Sequence, residues 1–464
     1  MNKKASDKPK KLPQLLRGMK DILPEEQRFW DFIRQRTDQL AQTYGFARID
    51  TPVLEETSLF VRSIGQETDV VEKEMYSFMD KSNDSVSLRP EGTAGVVRAY
   101  IEHGMLNRPQ PVKMYYIGPF FRYDRPQAGR YRQFHQFGFE VLGDGHPVID
   151  AQLMMLAYSF FNEIGLSVSL QVNSVGCPTC RESYKKALNE YYRSRKNALC
   201  EDCKRRLQKN PLRLLDCKVP DCQLLAQDAP QTVDHLCENC HAHFVKVLEH
   251  LDGLEIPYVL NSRLVRGLDY YTGTAFEIWP VVEGESPVNP SALCGGGRYD
   301  ILVKQLGGAP TAAIGFAAGI ERLINEIKAR DIKVGMPAGP DVFVAQLGDA
   351  ARKKALRLYE DLRRAGLRVA ETFSKDGIKP QMEMANKLAV KYALILGQKE
   401  MLDGTILIRD MENGIQETVD FQKVISEIQK RLSKNNVVAT NHNHIHMAEQ
   451  PPKPADEGTA KLSI

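Results

Sequence analysis

Between Val112 and Val141 the residue pattern leaves few folds open to the chain. Two strand-like stretches flank a polar loop, Asp124 to Arg132, and the second stretch has two distinct faces. Phe134, Gln136, Gly138 and Glu140 fall on one side, with His135, Phe137, Phe139 and Val141 on the other, because successive side chains of a strand point oppositely. Such a strand packs a core with one face and offers an amide and a carboxylate to a ligand with the other. The first stretch ends in Phe121-Arg122-Tyr123-Asp124-Arg125-Pro126-Gln127, and the return begins Gly129-Arg130-Tyr131-Arg132-Gln133-Phe134-His135-Gln136. An Arg closing one strand, a basic loop and a polar-faced return strand make a cradle for an anion. Guanidinium forks match phosphate and carboxylate oxygens in pairs and keep their charge. A solvated basic hairpin would account for the charges, but not for Gln136 and Glu140 set opposite aromatic residues.

Three other segments carry similar chemistry. Gly315-Phe316-Ala317-Ala318-Gly319-Ile320-Glu321-Arg322-Leu323 reads as small residues leading into a helix from about Phe316, with Gly319 and Arg322 three apart on one face. Leu264-Val265-Arg266-Gly267-Leu268-Asp269-Tyr270-Tyr271-Thr272-Gly273 begins as a strand pattern. Leu293-Cys294-Gly295-Gly296-Gly297-Arg298-Tyr299-Asp300 holds a glycine triplet, which lets backbone close over a ligand. Taken singly, each is as well explained by packing or a turn. Cys294 reads as a small buried apolar residue.

A chain of 464 residues is too long for one core, and about three domains are expected. A helix is signalled from Pro24, with Glu25 and Glu26 in its first turn, Phe29, Phe32, Ile33 and Leu40 near one face, and Gly45 as its stop. Phe46 to Leu54 reads as a strand broken by Pro52, and Thr274 to Ile278 as another. Asp331 to Pro340 reads as a linker. Beyond it strands at Asp341–Leu347, Leu367–Ala370 and Tyr392–Gly397 alternate with helices to Ala365 and near Lys379–Leu388, a small α/β domain with a mainly parallel sheet. A strand Thr405–Arg409 and a helix Phe421–Leu432 complete it. The expected boundaries are a basic tail 1–15, a first domain 16–334, a second 338–433, and a disordered Asn-, Pro- and Lys-rich tail 434–464. His442, His444 and His446 in that tail read as solvated.

Eight of nine cysteines lie between Cys177 and Cys240, within an insertion of about 174–254 rich in Lys and Arg. They pair in sequence as Cys177 with Cys180, Cys200 with Cys203, Cys217 with Cys222, and Cys237 with Cys240. Three pairs have the C-x₂-C spacing of structural zinc sites, and four pairs suffice for two four-thiolate sites. No export signal precedes them and no apolar run approaches the roughly 20 residues needed to span a bilayer. Reduced thiols, zinc-bound or unliganded, are therefore expected over disulfides, in a cytoplasmic protein. A formal net charge of +3 neither requires nor excludes a nucleic-acid partner.

The arginine-bearing hairpin resembles motif 2 of the class II aminoacyl-tRNA synthetases, and the Gly315–Leu323 segment resembles motif 3. The helix and strand ending at Pro52 resemble motif 1, which in this class builds a dimer interface. Leu264–Tyr271 and Gly296–Asp300 resemble the two signatures of histidyl-tRNA synthetases, and Leu88-Arg89-Pro90-Glu91-Gly92-Thr93 resembles the family's amino-acid-binding loop. The resemblance runs from about Leu16 to Leu432, apart from the cysteine-rich insertion. It implies an α+β fold: an antiparallel-sheet class II catalytic core with an inserted cysteine-rich module, followed by an α/β anticodon-binding domain. It also implies a homodimer that activates histidine with ATP and Mg²⁺ and transfers it to the 3′ end of histidine tRNA. The alternative is an inactive regulatory paralogue of histidine biosynthesis. Such paralogues typically lack the anticodon-binding domain and the catalytic signatures, which this chain retains. A zinc-dependent nucleic-acid-binding protein would leave the two histidine signatures unexplained.

Residue by residue, the resemblance gives Arg122 the histidine carboxylate and α-phosphate, Arg266 the charge developing on the α-phosphate, and Arg322 the far side of ATP. Asp124, Arg130 and Phe134 would place phosphates and adenine; Asp124 stands where Glu is expected and reaches less far. Glu91, Gly92, Thr93 and Gln136 would surround the α-amino group. Glu140 and Tyr271, with Tyr270 close by, would read the imidazole, whose donor and acceptor edges suit a carboxylate and a phenol. Arg125 and Gln127 would meet the extra 5′ guanosine of the tRNA. Zinc is not general to the family; any zinc held by Cys177, Cys180, Cys200, Cys203, Cys217, Cys222, Cys237 and Cys240 would be structural, because the activation motifs lie elsewhere.

Overall fold

A computed structural model of the chain describes residues 12–66, 68–126, 129–281, 292–336 and 339–443, with 434–443 as backbone alone. It divides into two compact units that part between Gly335 and Met336, inside the glycine- and proline-rich run.

The first unit opens with α1 (Pro24–Thr43), which carries Pro at its start, Glu25 and Glu26 in its first turn, and Phe29, Ile33 and Leu40 on its buried face. β1 is only Ala47–Arg48, paired in parallel with the sheet edge. This is shorter than the expected strand Phe46–Leu54: the Ile49 amide still donates to the Tyr115 carbonyl, but Leu54 already belongs to a second sheet. A small sheet follows, β2 (Leu54–Glu56), β3 (Tyr76–Met79) and β4 (Ser85–Leu88), with α2 (Thr57–Ile64) between β2 and β3. Then come α3 (Thr93–Glu102) and the hairpin β5 (Val112–Phe121) and β6 (Gln133–Leu142). α4 (Pro147–Glu163) and β7 (Val168–Ser174) lead into a helical module of α5 (Pro178–Arg193), α6 (Glu201–Lys209), α7 (Pro220–Gln227) and α8 (Glu238–Gly253). The chain returns through β8 (Tyr258–Leu260), β9 (Thr272–Pro280), β10 (Cys294–Arg298), α9 (Leu302–Gln305), β11 (Ala313–Gly319) and α10 (Ile320–Ala329).

Eight strands form one sheet in the order β1-β5-β6-β11-β10-β9-β7-β8, its inner pairings antiparallel and only its two edge pairings parallel. The alternation read in β6 extends across it. Phe137, Phe139, Ile314, Phe316, Cys294, Phe276 and Ile278 join one core with α1, α4, α8 and α10. The opposite face of the same strands carries Gln136, Glu140, Gly315, Ala317, Gly295 and Glu277, of which all but Glu140 line a cleft. One expectation fails here: Gly315–Gly319 belongs to a strand, and the helix expected from about Phe316 begins at Ile320. Gly295–Gly297 is also in a strand, which sets aside the bland alternative of a turn. Both lie mid-sheet, where small residues on the cleft face leave room for what sits above them. Leu264–Gly267 is not a strand either. Leu264 packs into the core beneath α3, while Val265 packs against the core of the inserted module.

The second unit has β12 (Val342–Gln346), α11 (Asp349–Arg364), β13 (Val369–Glu371), α12 (Ile378–Lys387), β14 (Tyr392–Leu396), α13 (Gln398–Asp403), β15 (Thr405–Asp410), β16 (Gln416–Asp420) and α14 (Val424–Asn443). Its sheet runs β13-β12-β14-β15-β16, parallel across the first three strands and antiparallel across the last three. It is mixed where a mainly parallel sheet was expected. The unread strand, β16, is a mostly exposed edge whose polar sequence gives no alternation. Helices cover both faces through separate cores. The α14 backbone continues to Asn443, past the expected end at Leu432 and into the stretch expected to be disordered. His444, His446 and the rest of the tail, like the basic residues 1–11, lie outside the described residues.

Candidate active site

The cleft over the small-residue face has a volume of about 380 Å³, within the range of ligand sites. Arg122 enters from the end of β5, its Nε donating to the Pro90 carbonyl at 2.9 Å and its guanidinium over the Phe134 ring. Arg266 enters from the loop before β9. It lies above Gly295, so closely that a Cβ there would meet its Nη1 at 2.5 Å, and its Nη1 donates to Glu277 at 2.5 Å. Arg322 enters from the first turn of α10, its Nη1 donating to the Ala292 carbonyl at 2.7 Å. Arg130 pairs with Asp124 at 3.3 Å.

These cations are not all neutralised. Burial lowers the Arg322 pKa, and Arg130 and Arg122 lower it further. Arg266 differs: burial opposes its charge, but Tyr271 and Glu277 beside it hold it above the ordinary value. Among the described residues, Nε of Arg130 and Nε of Arg266 are buried with no hydrogen-bond partner. Buried donors normally find acceptors, so the cleft is organised to receive oxygens of an anion.

Beside the arginines lies a second, more polar compartment. Glu91 accepts from the Thr93 and Ala94 amides at 2.7 and 2.8 Å, capping the positive end of α3. Tyr270 donates to Glu91 at 3.3 Å. Burial pushes the Glu91 carboxyl up, against the pull of those amides and of Arg122. Glu140 accepts from Thr93 Oγ1 at 2.7 Å and from the Tyr299 hydroxyl at 2.5 Å, and burial pushes its pKa up to about 8. Burial also holds the Tyr116, Tyr270 and Tyr299 phenols well above their ordinary value, so they remain donors. The β6–β11 register sets Gly315 opposite Glu140, and a Cβ at Gly315 would overlap the carboxylate.

Glu91, Gly92, Thr93, Arg122, Asp124, Arg130, Phe134, Gln136, Arg266, Tyr270, Tyr271 and Arg322 all line this one cleft. Glu140 is not on its wall; it is fully buried behind Thr93 and Tyr299. Arg125 is exposed and outside the cleft, and Gln127 lies outside the described residues. The sequence reading missed Glu277, the partner of Arg266; Tyr299, the donor to Glu140; Tyr116, which packs against Gly92 and Gly138; and Glu321. The last accepts from the His135 amide at 2.9 Å and bonds its ring at 2.8 Å. Period-two alternation marks Glu277 on the Glu140 side of the sheet, but only strand order shows which cation it meets. Arg298, the Arg of the glycine-triplet signature, faces away from the cleft. It is buried against Asp150, with Nη2 to Oδ2 at 2.6 Å. Burial alone would raise the Asp150 carboxyl, and His243 and Arg298 hold it below its ordinary range.

In the inserted module the thiols group by space and not by order. Cys177, Cys180, Cys237 and Cys240 form one set, and Cys200, Cys203, Cys217 and Cys222 another, each with its sulfurs within 4.8 Å of one another. All are free. The donor chemistry fits a tetrahedral soft metal ion, four sulfurs per set and none from a hard ligand. Among the described residues no comparable group of ligands occurs in the cleft, and no helix is long and apolar enough to cross a membrane.

Comparison with known proteins places these features together. A family model described as histidyl-tRNA synthetase matches residues 18–323, and one described as anticodon binding domain matches 341–431. A histidine–tRNA ligase of Dehalococcoides mccartyi is 49% identical over 417 residues, covering 90% of this chain and 99% of the relative. One from Syntrophotalea carbinolica is 47% identical over 422 residues, with 90% and 99% covered. The apo crystal structure of Staphylococcus aureus histidyl-tRNA synthetase superposes with a TM-score of 0.75 at 36% identity, covering 90% of this chain and all of that one.

Proposed function

The chain belongs to the histidyl-tRNA synthetase family and is an ATP-dependent histidine–tRNA ligase, and on that premise we propose how its residues divide the work. The observation that carries the proposal is the convergence of Arg122, Arg266 and Arg322 on one cleft beside a buried carboxylate–phenol compartment. ATP lies across the Gly315–Gly319 and Gly295–Gly297 floor, its α-phosphate between Arg122 and Arg266 and its far side against Arg322. Asp124, Arg130 and Phe134 hold phosphates and adenine. The histidine carboxylate meets Arg122 and Arg266, and its α-amino group meets Glu91, Thr93 and Gln136, beside Gly92.

The carboxylate oxygen attacks the α-phosphorus, pyrophosphate leaves, and histidyl-adenylate remains. The chain's part is to bring the reactants together and to meet charge as it develops. Arg266 is suited to this because Glu277 fixes its fork without filling its Nε. Mg²⁺ would accompany ATP and offset phosphate charge; among the described residues no group of three or more His, Cys, Asp or Glu ligands in the cleft would hold it.

Imidazole recognition falls to Tyr271 and Glu140, with Tyr270 bracing Glu91. Glu140 accepts from two hydroxyls, one at each oxygen, and its carboxyl keeps further capacity for a ring nitrogen. A pocket of buried polar pairs rejects analogues lacking the matching atoms by about 10⁴-fold. The ligase acts as a cytoplasmic homodimer. Its anticodon-binding unit engages histidine tRNA, while Arg125 and Gln127 meet the acceptor end. Structural zinc in the thiol sets completes the cofactors.

The test is histidine-dependent exchange of labelled pyrophosphate into ATP, run against all twenty amino acids without tRNA. Exchange with histidine alone supports the assignment. Exchange with another amino acid overturns the roles of Glu140 and Tyr271, and none with any, from folded metallated protein, favours the regulatory alternative.

A further inference from the structure

Residues neighbouring each thiol set in the chain reach the loop that bears Arg266, Tyr270 and Tyr271. In the first set Cys177 and Cys237 stand at the N-cap positions of α5 and α8, so the first turns of two helices adjoin the sulfurs. The Cys237 amide donates to Cys180 Sγ at 3.0 Å. Next in sequence to Cys180 is Arg181, whose Nη1 donates to the Asp269 carbonyl at 3.1 Å and whose Nη2 donates to the Tyr271 carbonyl. One guanidinium thus holds the backbone on either side of Tyr270.

The second set caps α6 through Cys200, with the Cys203 amide donating to Cys200 Sγ at 3.4 Å and the Cys200 amide to Cys222 Sγ at 3.3 Å. The segment between Cys203 and Cys217 carries Arg206 and Arg213, which reach Asp69 on the cleft wall at 3.3 and 3.2 Å. It also carries Asn210, whose Nδ2 lies 3.5 Å from Asp269 Oδ1. A cavity of about 30 Å³ behind the loop is bounded by Arg181, Asn210, Arg213, Arg266, Asp269 and Tyr271.

We propose that both sets bind zinc and that the two sites act as a clamp, holding the Arg266–Tyr271 loop in its histidine-binding shape through Arg181 on one side and through Asn210 and Arg213 on the other. The sulfur spacing fits: Cys177 to Cys180 is 3.5 Å and Cys200 to Cys217 is 3.9 Å. Metal–sulfur bonds of about 2.3 Å in a tetrahedron set sulfurs about 3.8 Å apart. The module also needs the metal. Its own core is small and counts Cys203, Cys217 and Cys222 among its buried members, and small cores are commonly completed by such ions. Arg181 is then a positioning residue, remote from the reacting atoms but in control of two carbonyls of the loop.

The proposal rests on that loop reading histidine, so the test separates metal binding from activity. Metal analysis of the full-length protein, reconstituted with zinc under reducing conditions, should give two zinc ions per chain. Cobalt substitution should give the absorption of tetrahedral thiolate sites, and Cys240→Ser and Cys217→Ser should each lose one ion. With both zincs in place, Arg181→Ala should raise the KM for histidine about 10-fold or more and leave the KM for ATP within about threefold, with Arg181→Lys intermediate. Zinc removal, with folding checked by circular dichroism, should act in the same direction. Failure to bind zinc overturns the sites. An unchanged histidine KM in zinc-loaded Arg181→Ala overturns the clamp. Two zincs with no histidine exchange in the unaltered protein would overturn the functional reading, and the clamp with it.

Discussion

Two residues show how burial sets the chemistry. Arg266 donates to Glu277, has the Tyr271 ring beside it and lies over Gly295, while its Nε has no hydrogen-bond partner. Arg266→Lys keeps the charge but not the fork. It should lower the rate of pyrophosphate exchange by about 10²-fold with little change in the KM for ATP; an equal rise in KM would mean Arg266 only binds. Glu140 is different, because its pKa of about 8 makes it a neutral acid through much of the physiological range. The unfolded chain loses that proton near its ordinary value, about 4.5, while the folded protein keeps it to about 8. Its contribution is therefore full below the lower value, falls as pH rises, and is gone above the upper one. Urea unfolding between about pH 5 and about pH 9 should show stability falling by a few kcal/mol from this group. Glu140→Gln, which cannot ionise, should remove that slope and lower kcat/KM for histidine about 10²-fold or more. The residue types of the site were legible because charged and amide side chains stood where alternation required a face. That Glu140 sits behind the wall was not legible, since it depends on Tyr299, which lies just past the end of β10 and is remote in sequence.

At the level of elements, the site works because β6, β11, β10 and β9 alternate in step. Their core faces carry Phe137, Phe139, Phe316 and Phe276, and the opposite face carries Gly315 and Gly295 under the ligand-reading side chains. Gly315→Ala tests this register, since the added Cβ would overlap Glu140 and come within 2.9 Å of the Phe139 carbonyl. Overpacking of this kind costs about 1–3 kcal/mol. A thermal melt should show that loss, and pyrophosphate exchange should show the histidine KM raised about 10-fold or more. A wild-type KM would mean that Glu140 does not shape the histidine subsite. The hairpin could be read from sequence because its core face is large and its other face polar, so period two stood out. The strand Ala313–Gly319 could not, because both of its faces are small or apolar and alternation leaves no mark. The loop before β9 misled for the opposite reason: Leu264 and Val265 look like strand residues, yet each is spent on a different core. Spacing suggested that the cysteines pair, but only the fold brought Cys177 and Cys180 to Cys237 and Cys240.

For the whole molecule, the two units have separate cores: the helix-backed sheet of the first, and Val342, Val344, Leu394 and Ile406 among others in the second. Every arginine placed at the reacting phosphate, and every side chain placed on histidine, belongs to the first unit. Activation of histidine should therefore survive without the second, whereas selection of tRNA should not. Protein ending at Gly335 is expected to retain histidine-dependent pyrophosphate exchange within about 10-fold of the full chain. Its kcat/KM for aminoacylation of histidine tRNA should fall about 10²-fold or more, because the anticodon-binding unit supplies tRNA affinity spent in reaching the transition state. The contrast matters more than either number. Loss of both reactions to the same degree, in protein that melts cooperatively, would mean that the second unit shapes the cleft. Loss of neither would mean that the acceptor end alone secures the tRNA, and the family's anticodon-binding domain would have another task here.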